Sequence, residues 1–295
     1  MDFSWIDDGL VGMLNAISSQ LDKDTIGLLT QTPAGKYPDA YKTATSISTQ
    51  AVKPVAMTIL AIVFTLEIIK VSKHVDETGD RGVRMIVSAL IKIIIIYMAA
   101  MNAEWLCQLI TYLIQQIGTG VSKIVTTPSG DFRPMKALVD SSGNDVKLGD
   151  FMKPKIQSAG TFSKIMGYVV LLIPFLVSVA IGIIVKILVL LRFFELIIMT
   201  AFGALPISFL SYEGTKSWGE GYIRTYASCA FSNITLLIAI GIYGSMQQDL
   251  LNINKSTTFD QLISSNFGGL LASSFLLGGL VVISQKAAKA LFGQG

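Results

Sequence analysis

Long apolar runs separated by polar segments dominate the chain. The longest run covers residues 165–211 and contains only three charged side chains, Lys186, Arg192 and Glu195. A helix needs about 20 apolar residues to cross a bilayer, so this run could hold roughly two crossings. Shorter runs predict crossings at residues 51–71, 85–101, 222–245 and 268–284. The pattern predicts an all-α, polytopic integral membrane helical bundle with about five transmembrane helices, or six if the longest run is a hairpin.

The first fifty residues carry an amphipathic pattern instead. Apolar side chains recur there at intervals of three and four residues: Phe3, Ile6, Leu10, Leu14, Ile17 and Leu21. This spacing places them on one face and predicts a helix over residues 3–21. The helix could lie on the membrane surface or on partner subunits, or it could dock onto the chain's own bundle, and the pattern favours neither. Residues 30–50 are rich in Thr, Ser, Ala and Pro and predict a polar linker.

The predicted elements divide the chain into four parts. Residues 1–50 contain the amphipathic helix and the linker. Residues 51–117 form a first transmembrane hairpin, whose second helix keeps its helical spacing to Ile117 beyond the hydrocarbon. Residues 118–164 form a polar, turn-rich extracytoplasmic loop. Residues 165–295 form the C-terminal transmembrane core.

Basic residues near the ends of the crossings predict the orientation in a cytoplasmic membrane. The loop after the first crossing is basic, with Lys70, Lys73, Arg81 and Arg84. Because Lys and Arg concentrate in cytoplasmic loops, this loop should be cytoplasmic and the N-terminus outside. One kinked crossing over residues 165–211 would also place the basic turn near Lys216 and the C-terminus in the cytoplasm, whereas a hairpin would place both outside. Five crossings therefore agree better with the charges.

The charged side chains of Glu67 and Lys92 lie within the two helices of the first predicted hairpin. Glu67 and Lys92 lie in opposite helices, at depths that differ by about one helical turn. A charge inside hydrocarbon is costly and is a functional hypothesis by default. The two side chains could form an ion pair. Alternatively, Lys92 extends to the interface and Glu67 pairs with Lys70.

The longest run poses the same question for its own charges. Arg192 and Glu195 are three residues apart and share a helix face. They could neutralise each other, or they could lie on a face lined by water or substrate. Lys186 lies about a turn and a half earlier, and the sequence does not identify its partner.

Small residues on the last crossing predict close helix packing. Gly268 with Ala272, and Ser274 with Gly278, are separated by four positions. Such pairs allow two membrane helices to approach closely. The two pairs fall on different faces, so two neighbouring helices could pack there, within the subunit or between subunits.

Composition agrees with a membrane protein and gives no sign of catalysis. Only 15% of the 295 residues are charged, and the net charge is +3, whereas a soluble chain is about 25% charged. Cys107 and Cys229 lie in apolar sequence and are predicted to be packed thiols. The one histidine, His74, lies in a polar loop. Neither zinc-ligand spacing nor a phosphate-binding loop is present. We therefore predict a protein that is not an enzyme, with no catalytic, cofactor-binding or metal-binding residues.

One local pattern is familiar from a known family. An apolar segment with Pro206, Gly203–Phe209, is followed by a polar turn and by Trp218, which leads into the next crossing. This pattern resembles the core of the TrbL-like family, polytopic inner-membrane subunits of type IV secretion and conjugation machines. The resemblance covers roughly residues 50–285, and the family also has an outside N-terminus and a central outer loop. The missing hydrophilic C-terminal tail resembles compact forms from conjugative elements of Gram-positive bacteria.

The resemblance implies a channel or scaffold subunit that helps to translocate single-stranded DNA with its relaxase. Such a subunit would form homo-oligomers and contact other membrane subunits and the cytoplasmic ATPases of the machine. It would also contact the DNA–relaxase substrate transiently. Trp218 would anchor the turn between two crossings, although an aromatic residue at the headgroup level is an equal alternative.

Two other functions remain open from the sequence. The intramembrane charges suggest a secondary transporter or small-solute channel. Transporters often contain two matching halves with broken helices, and this sequence shows no such repeat. A structural membrane assembly factor is the other alternative, which the uneven crossings and the long outer loop fit poorly.

Overall fold

The chain is all-helical wherever its structure is described. The computed structural model describes residues 4–18, 23–78, 80–125, 146–251, 253 and 256–294. Its α-helices are α1 (Ser4–Ser18), α2 (Lys23–Leu29), α3 (Pro33–Lys36), α4 (Pro38–Ile47), α5 (Lys53–Thr78), α6 (Asp80–Met101), α7 (Ala103–Val125), α8 (Leu148–Gln157), α9 (Thr161–Phe202), α10 (Ala204–Ser208), α11 (Lys216–Leu251), α12 (Phe259–Ser264) and α13 (Phe267–Leu291). These helices confirm the predicted all-α class.

Four helical stretches in the described part are long and apolar enough to cross a membrane. They are Pro38–Lys70, Thr161–Phe202, Lys216–Gly244 and Phe267–Leu291. The bent helix pair formed by Ile86–Met101 and Ala103–Val125 brings the number to five if it counts as one span. The run at residues 165–211 is therefore not a hairpin, because α9 is a single helix of 42 residues that continues through Pro174. It ends at Phe202, four residues before Pro206, whose missing N–H cannot bond to the Phe202 carbonyl.

The bent pair corrects one prediction. The sequence predicts an unbroken helix from the second crossing to Ile117, but the helix breaks at Asn102, and α7 turns by 75° from Ile86–Met101. The Asn102 side-chain amide donates to the Met98 carbonyl at 2.8 Å. Such a side-chain bond competes with the backbone ladder and favours a break there. The stretch predicted as a polar linker also contains α3, α4 and a π-helical turn, Ser48–Val52, which leads into α5.

The chain forms two compact units. The first unit comprises Met1–Thr30, Gly118–Leu190 and Asn233–Lys286. The second unit comprises Gln31–Ile117, Leu191–Ser232 and Ala287–Gly295.

In the first unit, the amphipathic helix docks onto its own chain. The apolar stripe of α1, including Leu10, Leu14 and Ile17, is buried in one cluster with α8 residues such as Met152. Gly149 allows this contact, because a Cβ there would overlap the Val11 carbonyl oxygen. The Gly149 N–H also donates to the Asn15 side-chain oxygen at 2.8 Å. Of the two alternatives that the sequence left open, the structure therefore shows docking onto the chain's own helices.

The first unit also contains the small residues predicted to pack on α13. The Ser274 hydroxyl lies 2.6 Å from the Ser178 hydroxyl of α9. A Cβ added at Gly278 would lie 3.7 Å from the side chain of Ile181, also on α9. Gly268 and Ala272 are exposed. One predicted pair therefore faces α9 of the same chain, and the other pair remains on the surface.

The second unit has a core of small apolar side chains. Val52, Ala56, Ala100, Ala103, Ala204 and Ile207 form one buried cluster. These side chains come from the π-helical turn and from α5, α6, α7 and α10, so several helices approach closely around Ala103. Beside them, Lys53 forms an ion pair with Glu104 at 2.9 Å, with side chains only 14% and 16% exposed.

Candidate functional site

The end of α9, the short helix α10 and the beginning of α11 form a helical turn in the second unit. The Tyr222 hydroxyl of α11 donates to the Met199 carbonyl of α9 at 2.8 Å. Further along, the Arg192 guanidinium donates to the Ser232 carbonyl at 3.0 Å. Residue numbers rise on one helix as they fall on the other, so the two helices run antiparallel and are tied at two levels.

Two glycines allow this turn to close. A Cβ at Gly203 would lie 2.8 Å from the Tyr222 hydroxyl oxygen. A Cβ at Gly219 would lie 2.7 Å from the Pro206 carbonyl oxygen and 2.5 Å from the Leu210 side chain. Gly219 is therefore required where α11 crosses α10, because the backbone oxygen of Pro206 cannot move aside as the end of the Tyr222 side chain can. The sequence pattern singled out Pro206 for the family resemblance, and Gly219 is the residue that packs against it.

Trp218 lies beside the point where α11 crosses α10, on the surface of the second unit. Its ring meets Phe209 edge to face, with ring centroids 5.3 Å apart. The side chain is nevertheless 62% exposed. This placement is compatible both with an anchor for the turn and with an aromatic side chain at the level of lipid headgroups.

Arg192 is a buried cation in the middle of the helix pair. It is only 4% exposed, and its bond to Ser232 reaches a backbone carbonyl of α11. Glu195 lies within electrostatic reach of Arg192, and Cys229 lies close to both. Lys289 of α13 acts electrostatically on the same thiol. Arg192, Glu195 and Lys289, the charged group around Arg192, thus all act electrostatically on the Cys229 thiol.

The members of this charged group face different surroundings. Arg192 is buried, whereas Glu195 is exposed on the surface of the described chain. A carboxylate exposed at membrane depth needs water, a cation or a partner protein to offset its desolvation. Lys186, in the first unit, is half-buried and takes part in a polar or electrostatic interaction of its own.

The sequence left open whether Glu67 pairs with Lys92 or with Lys70, and the structure adds Glu213 as a further partner of Lys70. Among the described residues, Lys70 pairs with Glu213 at 2.9 Å, and no direct contact joins Glu67 to Lys92. The Lys70 ammonium, with Lys92 as a weaker contributor, holds the pKa of the exposed Glu213 carboxyl below its usual value. Glu67 is buried, and its Oε2 atom accepts no hydrogen bond within the described chain. Sequence reasoning missed Glu213 because it follows Lys70 by 143 residues.

A hydroxyl network in the second unit also escaped the sequence analysis. Tyr226 is 1% exposed, and its hydroxyl lies 3.0 Å from the Thr111 hydroxyl and 3.3 Å from the Thr200 hydroxyl. The Cys107 thiol lies 3.4 Å from the Tyr222 hydroxyl. The network links α7, α9 and α11, and such interhelical bonds satisfy polar groups that lipid cannot. No sequence spacing indicates it, because its members come from three separate helices.

The described residues contain no metal-binding constellation. No group of three or more His, Cys, Asp or Glu side chains close enough to hold an ion occurs among them. Cys107 and Cys229 are buried free thiols, as their apolar sequence surroundings predicted.

Comparison with known protein families identifies the family of this chain. The model of the TrbL/VirB6 plasmid conjugal transfer protein family matches residues 76–284. No curated protein and no solved structure gives a significant match. The matched range is more than half of the chain and includes α9, the turn at Pro206, and α11 with Trp218. The chain therefore belongs to the TrbL/VirB6 family of plasmid conjugal transfer proteins.

Proposed function

We propose that this protein is a channel or scaffold subunit of a type IV secretion machine, where it helps to translocate single-stranded DNA together with its relaxase. The observation that carries the proposal is the family match over residues 76–284, which encloses the antiparallel pair of α9 and α11. The role is not enzymatic: the subunit holds a path or a frame, and other subunits supply the energy.

The charged group around Arg192 supports this proposal. A guanidinium bonded to a backbone carbonyl of the next helix fixes α9 against α11. The exposed Glu195 carboxylate lies beside the Cys229 thiol of α11 and remains open to water, substrate or a neighbouring subunit. We place this surface at a contact between subunits or along the path of the substrate.

The proposed setting is the cytoplasmic membrane, with five crossings. The N-terminus and the 118–164 loop lie outside, and the C-terminus lies in the cytoplasm, because basic residues concentrate on the cytoplasmic side. In this orientation the Lys70–Glu213 pair faces the cytoplasm, where the ATPases of the machine would bind. The subunit forms homo-oligomers and contacts the other membrane subunits.

Crosslinking during mating tests whether the subunit contacts the transferred strand. Donor cells that express a tagged copy are treated with formaldehyde while transfer proceeds, the protein is purified, and the transferred strand is amplified. We expect recovery of the transferred strand, and no recovery when the relaxase is deleted. Equal recovery of transferred DNA and of an unrelated plasmid would contradict a contact with substrate. A tagged membrane protein outside the machine serves as the control.

A further inference from the structure

One side of α7 in the second unit exposes large apolar side chains that have no part in the function proposed above. These side chains recur at helical spacing, so they lie on one side of the helix. They are Trp105, Leu109, Tyr112, Leu113 and Ile117, which together we call the α7 face. The opposite side of the helix, with Cys107 and Thr111, is buried. The helix is therefore fixed by one side and leaves the α7 face open to its surroundings.

The direction of α7 relative to the helix before it indicates what this face meets. The preceding helix, α6, has 22 residues, and a helix of that length is about 33 Å long. The hydrocarbon core of a bilayer is about 30 Å thick, so α6 can cross it without help from α7. Because α7 turns by 75° from α6, it runs close to the plane of the membrane when α6 crosses with the usual tilt of about 20°.

An ion pair marks the level at which α7 begins. Glu104, in the first turn of α7, pairs at 2.9 Å with Lys53, the first residue of α5. The apolar run of the first crossing follows directly after Lys53. Charged side chains are costly inside hydrocarbon and are tolerated at its boundary. The pair therefore places the beginning of α7, with Trp105, at the membrane surface.

The composition of the α7 face suits that surface better than either water or the hydrocarbon core. Exposed Gln108 and Gln116 lie among its apolar side chains, and carboxamides are costly in hydrocarbon. Large apolar side chains in turn lose free energy when they leave water. Trp and Tyr are enriched at the headgroup level, where the ring lies in the boundary and its N–H or O–H group reaches water.

The charge of this helix segment defines the kind of lipid that it needs. Between Ala103 and Ile117 the sequence contains no Lys or Arg, and its single acidic residue, Glu104, is paired with Lys53. Helices that depend on anionic lipids carry clusters of basic residues. The α7 face would therefore bind a membrane surface through apolar burial, and a zwitterionic lipid is sufficient.

We propose that α7 is an interfacial helix, which lies in the plane of the membrane and inserts the α7 face into the headgroup region of the bilayer. The bent pair is then a complete crossing, α6, followed by a helix on the membrane surface. The apolar side chains reach about 5–10 Å into the boundary between headgroups and acyl chains. The inference rests on α6 crossing the membrane and stands whether or not the proposed role in DNA transfer is correct.

Depth-dependent fluorescence quenching tests the proposal on the full chain in phosphatidylcholine nanodiscs. The chain has three Trp residues, so Trp5→Phe and Trp218→Phe leave Trp105 as the only reporter. The quenchers are lipids with a nitroxide on the headgroup, near the beginning of the acyl chain or near its end. We expect the first two to quench Trp105 most strongly, at a depth about 15 Å from the bilayer centre, which is half the hydrocarbon thickness.

A second reporter on the same helix measures its direction. Tyr112→Trp, with Trp105→Phe, moves the indole by seven residues on the same side of α7, about 10 Å along the axis. A helix at 75° to the membrane normal changes its depth by only about 3 Å over that distance, and by about 6 Å if α6 is tilted by 20°.

The matched control is a pair of reporters on α6. Ile91 and Met98 are also seven residues apart, and their side chains are 53% and 59% exposed. Ile91→Trp and Met98→Trp, each in the background without the native Trp residues, should differ in depth by about 10 Å, because α6 crosses the membrane. The Trp105 measurement replaces only the exposed Trp5 and Trp218, so the proposal remains testable if Tyr112→Trp folds poorly.

Three results would overturn the proposal. The first is a depth difference between the two α7 reporters as large as that between the α6 reporters, which would make α7 part of the crossing. The second is quenching of Trp105 by aqueous acrylamide and by none of the labelled lipids, which would place the face in water. The third is quenching by neither, which would mean that a second copy of the chain or another protein covers the face.

Discussion

Replacing Asp7 with Asn tests how α1 is held on the first unit. The Asp7 carboxylate lies 2.7 Å from the Lys164 ammonium, and the two side chains are only 15% and 12% exposed. Breaking a fully buried ion pair costs about 3–5 kcal/mol, because the remaining charge is left uncompensated. A small part of both side chains here meets solvent, so we expect Asp7→Asn to lower the free energy of unfolding of α1 by about 2–4 kcal/mol.

The neighbouring residue provides the control. Asp8 lies 3.8 Å from Lys153, but these side chains are 74% and 48% exposed. Exposed ion pairs contribute about 0–1 kcal/mol. Asp8→Asn makes the same chemical change one residue further along the same helix, so it should lower the free energy of unfolding by less than about 1 kcal/mol.

The assay is a urea titration of the full chain in nanodiscs. Trp5 lies on α1, with its ring centroid 6.5 Å from that of Tyr168, so its emission reports the release of α1. The background carries Trp105→Phe and Trp218→Phe. Combining Asp7→Asn with Lys164→Met in a double-mutant cycle should give a coupling energy above about 1 kcal/mol. Equal effects of Asp7→Asn and Asp8→Asn, with no coupling, would refute the reasoning.

Three further predictions concern the second unit. Gly219→Ala places a Cβ 2.7 Å from the Pro206 carbonyl oxygen and should cost about 1–3 kcal/mol of stability. The control is Gly221→Ala, where the added Cβ meets nothing within 4 Å and stability should not fall. The stability of both variants is measured by the reaction of the two buried thiols with a dye on heating. Tyr226→Phe should cost about 0.5–1.5 kcal/mol in the same melting assay, because it removes bonds to two buried hydroxyls; an unchanged melting temperature would count against the hydroxyl network. Lys70→Met should raise the pKa of Glu213 towards its usual value, as measured by carbon-detected NMR. Because the folded-state pKa of Glu213 is depressed, the pair stabilises the fold at pH values above the unfolded-state pKa, and this stabilisation is lost as the pH falls through the folded-state pKa. A Glu213 pKa that is unchanged in the Lys70→Met variant would contradict the pairing.

The fold class and the presence of four to five candidate membrane-spanning helices could be predicted, because both depend on properties that a sequence displays directly. An apolar run of sufficient length crosses a bilayer whatever packs beside it. The distribution of basic residues also favoured one long helix over a hairpin at residues 165–211, and α9 is that helix. The bend at Asn102 was missed because apolar spacing continues across it, and a single side-chain bond to the backbone leaves no mark on hydropathy.

Contacts between distant segments could not be predicted for a different reason. The apolar stripe of α1 is the same whether it meets lipid, a partner or α8, so only the structure shows its docking surface. The Lys70–Glu213 pair joins residues 143 positions apart. At the turn, the pattern identified Pro206 and Trp218, but the close contact depends on Gly219, which carries no chemical signal of its own.

The transfer frequency of the mobile element in mating experiments tests the central claim most directly. Donor cells lacking this gene should grow normally and yield no detectable transconjugants, and the wild-type gene supplied in trans should restore transfer. An Arg192→Leu copy, which loses the bond between α9 and α11, should be produced in the membrane yet restore transfer poorly. Transfer at the wild-type frequency in the deletion strain would contradict the account.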